Sequence, residues 1–321
     1  MLVTLTIVVA VIVAAVLLVA TYYYQATRRI SRDAEHAVPP RGRFVTVEGC
    51  DIHYIEQGEG RPILMIHGLG GTLHHMRRPL MEEFGDGYRL IALDRPGSGY
   101  STRPGRFDGR LSEQARLVAG FIDALGLEKP LLVGHSLGGA VALTTAQLYP
   151  DKVAGLALLA PLTHNESELA PEFRRLAIVS PLLRRIVSET LAVPASVRMA
   201  PQTLAFIFGP QTPPPDYAIA GGGVAGLRPS HFRATSADLV ALRDEMAAVE
   251  RRHGEIDMPV GIIFGSADRV LDHKRHGIAM EGRIGGIDVE IMEGVGHMLQ
   301  YADTERVVAF IRRIAARAFG A

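Results

Sequence analysis

Leu131-Leu132-Val133-Gly134-His135-Ser136-Leu137-Gly138-Gly139-Ala140 is the stretch that decides the fold. An apolar run of the buried-strand type ends at Val133, and an apolar helical stretch, Leu137–Tyr149, follows the glycines. Between them, Gly134-His135-Ser136-Leu137-Gly138 fits the pattern G-x-S-x-G. A sharp strand-to-helix turn forces a strained backbone on its serine. Side chains two residues to either side would clash there, and Gly134 and Gly138 remove that bulk. The start of the helix adds free N–H groups and the positive end of its dipole beside the hydroxyl. A glycine-rich helix start with an N-capping serine would show the same letters, so the rest of the chain decides.

A serine hydroxyl at neutral pH needs a base, and the base needs a third group to hold it. The strand Val289–Met292 runs into Glu293-Gly294-Val295-Gly296-His297, where glycine gives an imidazole room to reach over a sheet; His297 is the expected base. The preceding strand, Val260–Phe264, runs into Gly265-Ser266-Ala267-Asp268, so Asp268 is the expected orienting acid and Asp272 its nearest rival. His253, His273 and His276 stand among charged, helix-like neighbours and are expected in solvent. An acyl-transfer site also needs donors for an oxyanion. Ile63–Ile66 leads into His67-Gly68-Leu69-Gly70-Gly71, a turn able to aim a backbone N–H at the pocket. Leu69 is favoured over Gly70 as that donor, and the N–H of Leu137 supplies the other.

Further outward the same alternation continues. Phe44–Val47 and Ile52–Ile55 alternate in period two about Gly49 and predict an antiparallel opening pair. Strands are also predicted at Arg89–Leu93 and Val153–Leu159, and helices at Leu111–Leu125, Lys274–Gly282 and Thr304–Phe319. Such alternation specifies an α/β fold, a mostly parallel sheet with helices on both faces. The rhythm breaks from Pro161 to Met258, a span too long for a plain loop, which predicts a cap inserted over the strand ends.

His67–Gly71, Asp94-Arg95-Pro96-Gly97-Ser98-Gly99-Tyr100-Ser101, Gly134–Gly138, Gly265–Asp268 and Gly296-His297 occur in register along the chain. Together they resemble the α/β-hydrolase superfamily over roughly Phe44 to Phe319. The resemblance implies an eight-stranded sheet with its cap after the sixth strand. It also implies Ser136 as nucleophile, His297 as base, Asp268 as acid, and Leu69 and Leu137 as oxyanion donors. Relatives that use aspartate as nucleophile, the dehalogenases and epoxide hydrolases, differ at the elbow, where this chain has Ser136. With the N-terminal segment described next, the whole looks most like membrane-anchored monoacylglycerol-lipase-type members.

The chain has 321 residues, one cysteine, no tryptophan, and 34 basic against 34 acidic side chains. The lone Cys50 excludes an intrachain disulfide framework, and the absence of basic excess removes the electrostatic case for nucleic-acid binding. Residues 2–24 form an apolar segment without charge that ends in Tyr22-Tyr23-Tyr24, long enough to cross a bilayer. No Lys or Arg precedes it and bulky tyrosines end it, which favours an anchor over a cleaved signal. Arg28, Arg29 and Arg32 follow, so positive-inside bias predicts a cytoplasmic body. Residues 25–43, mostly polar and with Pro39-Pro40, read as a linker to a hydrolase domain at 44–321 with its cap at about 161–258.

Several features are set aside. Gly221, Gly223 and Gly226 satisfy G-x-G-x-x-G without a preceding strand. His67, His74 and His75 lack the carboxylate or cysteine partners of a metal site. Asn165-Glu166-Ser167 is a sequon. Arg174, Arg175, Arg184 and Arg185 punctuate the cap and read more readily as a solvated helix face than as a lipid-facing one. The expectation is therefore a single-pass membrane serine hydrolase of lipophilic, monoacylglycerol-like esters that uses no cofactor or metal. The alternatives are another reaction of the same triad on a soluble substrate (C–C bond, thioester or perhydrolase-like), or a non-enzymatic membrane scaffold.

Overall fold

Strands apolar at every position suit a sheet covered on both faces. In the computed structural model, which describes all residues except Arg106, Ser167, Leu169 and Ala321, eight strands form one sheet. They are β1 (Arg43–Val47), β2 (Cys50–Gln57), β3 (Arg61–Ile66), β4 (Tyr88–Leu93), β5 (Leu131–His135), β6 (Gly155–Leu159), β7 (Val260–Gly265) and β8 (Asp288–Met292). Their spatial order is β1-β2-β4-β3-β5-β6-β7-β8. The opening pair β1–β2 is antiparallel, as is β2 with β4; every other neighbour pair is parallel. The parallel strands therefore end on one edge, and the residues just beyond β3, β5, β7 and β8 are delivered there together. That edge is where open α/β sheets hold ligands.

Seven longer helices accompany the sheet: α1 (Leu2–Ala37), α2 (Leu111–Ala124), α3 (Leu137–Leu148), α4 (Pro181–Glu189), α5 (Ala192–Phe208), α6 (Pro229–Arg251) and α7 (Thr304–Phe319). Helix α3 is buried from Leu137 to Gln147, and the Thr144 and Thr145 hydroxyls donate back to the Ala140 and Val141 carbonyls, 2.8 Å each. Helix α7 buries Val307, Phe310, Ile311 and Ile314, while Arg306 and Arg313 reach Glu290 and Asp288 on β8. Asp303 caps its first turn by accepting from the Arg306 N–H. The chain leaves the sheet after β6 and returns at β7, so the cap holds α4, α5 and α6 and follows the sixth strand.

Three expectations need correction. Residues 25–37, read as linker, continue helix α1 without a break. Their stabilising contacts are tertiary: Thr27, Ser31 and Ala34, small and on one face, are buried, and the helix packs on α4 and α5. The Thr27 hydroxyl donates to the Thr190 carbonyl at 2.5 Å, and Glu35 pairs with Arg228 at 2.9 Å. Beyond the helix, the Val38 carbonyl accepts from the Tyr100 hydroxyl (2.6 Å), and the Arg41 carbonyl lies 2.7 Å from His53 Nε2. Second, His253 and His276 are buried beneath the cap rather than solvated. His276 Nδ1 accepts the Thr163 and His164 N–H groups and its Nε2 meets Glu166 at 2.5 Å. Third, the predicted helix Lys274–Gly282 is two short turns, His273–His276 and Ile278–Met280, divided at Gly277. Of the sequon, Ser167 lies outside the described residues.

Candidate active site

Ser136 joins β5 to α3 with φ +55° and ψ −120°, a conformation a side-chain-bearing residue rarely adopts. Its N–H donates to the Leu159 carbonyl (3.0 Å), and its carbonyl accepts from Gly139 and Leu162. The flanking glycines are required by space. A Cβ on Gly134 would stand 2.5 Å from the Gly138 carbonyl oxygen, and one on Gly138 would strike the Ile66 carbonyl.

Across the sheet edge, the loop after β8 delivers His297. Its Nδ1 donates to Asp268 Oδ2 at 2.7 Å, which leaves Nε2 with a free lone pair. The second carboxylate oxygen of Asp268 accepts the N–H groups of Val270 (2.7 Å) and Leu271 (3.1 Å), so the acid is fixed from both sides and sealed from solvent. Asp272 does something else: it caps the turn His273–His276 by accepting from Lys274 at 2.9 Å. Ser136 and His297 share one cavity.

The turn after β3 forms the same cavity's wall through Gly68, Leu69 and Gly70. Leu137 is the first residue of α3, where backbone N–H groups have no intrahelical acceptor. The turn is held by groups to which the motifs alone assign no role. His67 Nε2 accepts the Arg95 N–H (3.0 Å) and Nδ1 donates to the Gly68 carbonyl (2.8 Å), which fixes one neutral tautomer. Burial, with Arg95 beside it, pushes the His67 imidazole far down. The Arg95 guanidinium donates to the His67 and Gly68 carbonyls, both at 3.0 Å, and to Asp238 on α6 at 2.7 Å. His231, also on α6, accepts the Gly99 N–H and donates to the Gly70 carbonyl. Next to the serine, His135 donates from Nε2 to the His297 carbonyl at 3.1 Å, and burial holds its imidazole neutral. Arg95 stands in the quoted Asp94–Ser101 motif and His135 inside the elbow, so both had a signal. Asp238 is 143 residues from Arg95 and had none.

The cavity measures about 1030 Å³. Phe173, Leu176, Val193, Leu204, Ile207 and Phe232 of the cap give it apolar walls. Opposite them the Tyr217 hydroxyl lies 2.8 Å from His75 Nε2. Burial, with a smaller push from His74, drives the His75 imidazole down to about 4.

Known proteins bear on this geometry. Over 260 residues the chain is 30% identical to 2-hydroxy-6-oxo-6-phenylhexa-2,4-dienoate hydrolase of Comamonas testosteroni, covering 78% of this chain and 86% of that protein. It is 36% identical over 107 residues to haloalkane dehalogenase 2 of Mycobacterium tuberculosis, 33% of this chain and 37% of that one. The crystal structure of a membrane phospholipase A, described as a bacterial virulence factor, superposes with a TM-score of 0.70 at 25% identity. That match covers 100% of this chain and 99% of the other. The sequence model of the alpha/beta hydrolase fold matches residues 61–304. Sequence and architecture agree, and the chain belongs to the alpha/beta hydrolase fold family.

Proposed function

We propose that this protein is a membrane-anchored serine hydrolase of lipophilic carboxylic esters, with monoacylglycerol-like lipids as the substrate class. The observation that carries the reading is that Ser136 and the Asp268-held His297 both line one large cavity walled by apolar cap residues. The likeness to a membrane phospholipase A along the entire chain supports it.

In this reading Ser136 Oγ attacks the acyl carbonyl carbon while His297 Nε2 takes its proton. Asp268 fixes the tautomer and stabilises the imidazolium. The N–H groups of Leu69 and Leu137 receive the oxyanion. The tetrahedral intermediate collapses, His297 returns the proton to the leaving alcohol, and water then attacks the acyl-enzyme by the same route. Helix α1 holds the body at the membrane, and Arg28, Arg29 and Arg32 just past the apolar stretch set it on the cytoplasmic side.

A hydrolysis series of p-nitrophenyl esters from acetyl to palmitoyl, with monoacylglycerols, run beside Ser136→Ala, tests this. Ser136-dependent turnover rising to medium or long chains is the expected result. Turnover confined to acetyl esters overturns the lipid assignment. The 30% identical dienoate hydrolase motivates a second reading, carbon–carbon bond hydrolysis on the same three residues. Full fluorophosphonate labelling of Ser136 with no ester turnover would select it.

A further inference from the structure

Helix α4 is inside out. Leu182, Leu183 and Ile186 fall on one face at helical spacing, and that face points away from the protein, with Leu182 69% exposed; Val179, just before the N-cap Ser180, is exposed beside it. Arg184 and Ser188 turn inward instead. Arg184 donates to the Ile178 carbonyl and the Ser236 hydroxyl, and Ser188 is fully buried. A helix bordering water usually turns its apolar face inward. Leu191 and Val197 extend the apolar surface onto the start of α5.

The position of α1 says what covers this face. Its apolar stretch is exposed from Leu2 to Val19, while its continuation is docked on α4 and α5. The Thr27 hydroxyl bonds the carbonyl of Thr190, at the end of α4. Thr27 is only about 4.5 Å along the helix from Tyr24, the last of the interfacial tyrosines. Glu35–Arg228, Val38–Tyr100 and Arg41–His53 tie the same segment to the body, so the cap has no slack to turn away from the plane in which Tyr22–Tyr24 sit. Arg28, Arg29, Arg185 and Arg198 are exposed around it, suited to anionic headgroups. Leu191 and Val193, next to Thr190, line the cavity.

We infer that the α4 face, Leu182–Leu183–Ile186, with Val179 just before the helix, rests in the headgroup–acyl boundary of an anionic bilayer, so that the cavity takes its substrate from the lipid phase. The inference about substrate entry rests on the ester-hydrolase reading; the seating of the face does not.

Full-length protein in phosphatidylcholine–phosphatidylglycerol nanodiscs, with an NBD fluorophore on Leu182→Cys or Ile186→Cys, tests the seating. Glu128→Cys, exposed at the far end of β5, is the reference, and Cys50 is buried. Blue-shifted emission at the first two sites, quenched by nitroxide-bearing lipids, is expected. Emission like that of the Glu128 site overturns the inference. A blue shift that lipid nitroxides leave unquenched also overturns it, by showing that a second protein copy covers the face. Leu182→Asp with Ile186→Asp should lower hydrolysis of bilayer-embedded esters roughly tenfold and leave soluble p-nitrophenyl butyrate turnover unchanged. Equal loss on both substrates, or on neither, overturns the entry route. Absence of Ser136-dependent turnover on every ester retires the ester-hydrolase reading, while the fluorescence still judges the seating.

Discussion

Arg95 and Asp238 meet at 2.7 Å with both side chains sealed from solvent, one beneath the turn His67–Gly71 and the other on the long cap helix α6. The pair sits in a full hydrogen-bond set, with Gln114 and two turn carbonyls on Arg95 and Arg103 on the second oxygen of Asp238. Breaking such a pair on one side leaves a buried charge without its partner. Asp238→Asn should destabilise the protein by about 3–5 kcal/mol and lower kcat more than it raises KM. A melting temperature within error of wild type would refute this. Arg95→Met combined with Asp238→Leu should recover only part of that stability, because Arg103 also loses its carboxylate, and should not recover kcat, because the turn loses its anchor.

The contact between His297 and Asp268 fixes which imidazole nitrogen is free. Asp268→Asn presents an amide that permits the wrong tautomer, and kcat for ester hydrolysis should fall by about 10⁴ with little change in KM. Asp272→Asn should change kcat less than about twofold, since that side chain only caps a short turn. Comparable losses in the two variants would remove Asp268 from its proposed role.

Two glycines of one loop should respond differently. A Cβ on Gly296 would collide with the Gly209 carbonyl, so Gly296→Ala must displace the loop that carries His297. Activity should drop at least tenfold, with a loss of several kcal/mol of stability. Gly294 has φ +72° and open space around it, so Gly294→Ala should cost only about 1 kcal/mol and spare activity. Kinetics and thermal melts of the two variants, run side by side, decide the matter.

His75 predicts the acid limb of stability. Its folded value is about 4 against an ordinary 6.5. Between those values the unfolded chain holds the extra proton, so stability is complete above 6.5 and declines as the pH falls toward 4. The full effect of this one group is about 3 kcal/mol. His67, His135 and His231 are pushed the same way by burial. Circular dichroism melts should show a lower Tm at about pH 5 than at about pH 7.5, and His75→Gln should flatten that slope. A Tm independent of pH over that range would contradict the assignment.

What could be read without coordinates follows from how local each signal is. The strand–turn–helix around Ser136 is specified by adjacent residues, and its glycines are needed for contacts the pattern itself implies. A mostly parallel sheet and an inserted cap are legible in the alternation of apolar runs, which parallel burial produces directly, whereas the eight strands and the cap's place after the sixth rest on the family resemblance and the strand order is seen only in the structure. Helix α1 was cut short at Tyr24 because Gln25–Ala37 is polar on most sides and is stabilised by the docking of Thr27, Ser31 and Ala34, small residues without a hydrophobic signature. His253 and His276 were placed in solvent because Arg251, Arg252, Lys274 and Arg275 surround them in sequence, whereas the fold tucks their rings under the cap. Arginines within an apolar run, such as Arg184 and Arg185, carry no information about which face of α4 looks inward.

The unbroken course of α1 also changes what a shortened protein would mean. Ending the deletion at Tyr24 removes mostly exposed apolar surface and none of the buried contacts of Thr27, Ser31 and Ala34. Extending it through Gly42 takes away the acceptors of Tyr100 and of His53, and His53 in turn holds Asp94, the residue before Arg95. A fragment made that way would lose part of the scaffold behind the turn His67–Gly71. Slower turnover in it would therefore report damage as well as detachment, and the shorter deletion is the fair comparison.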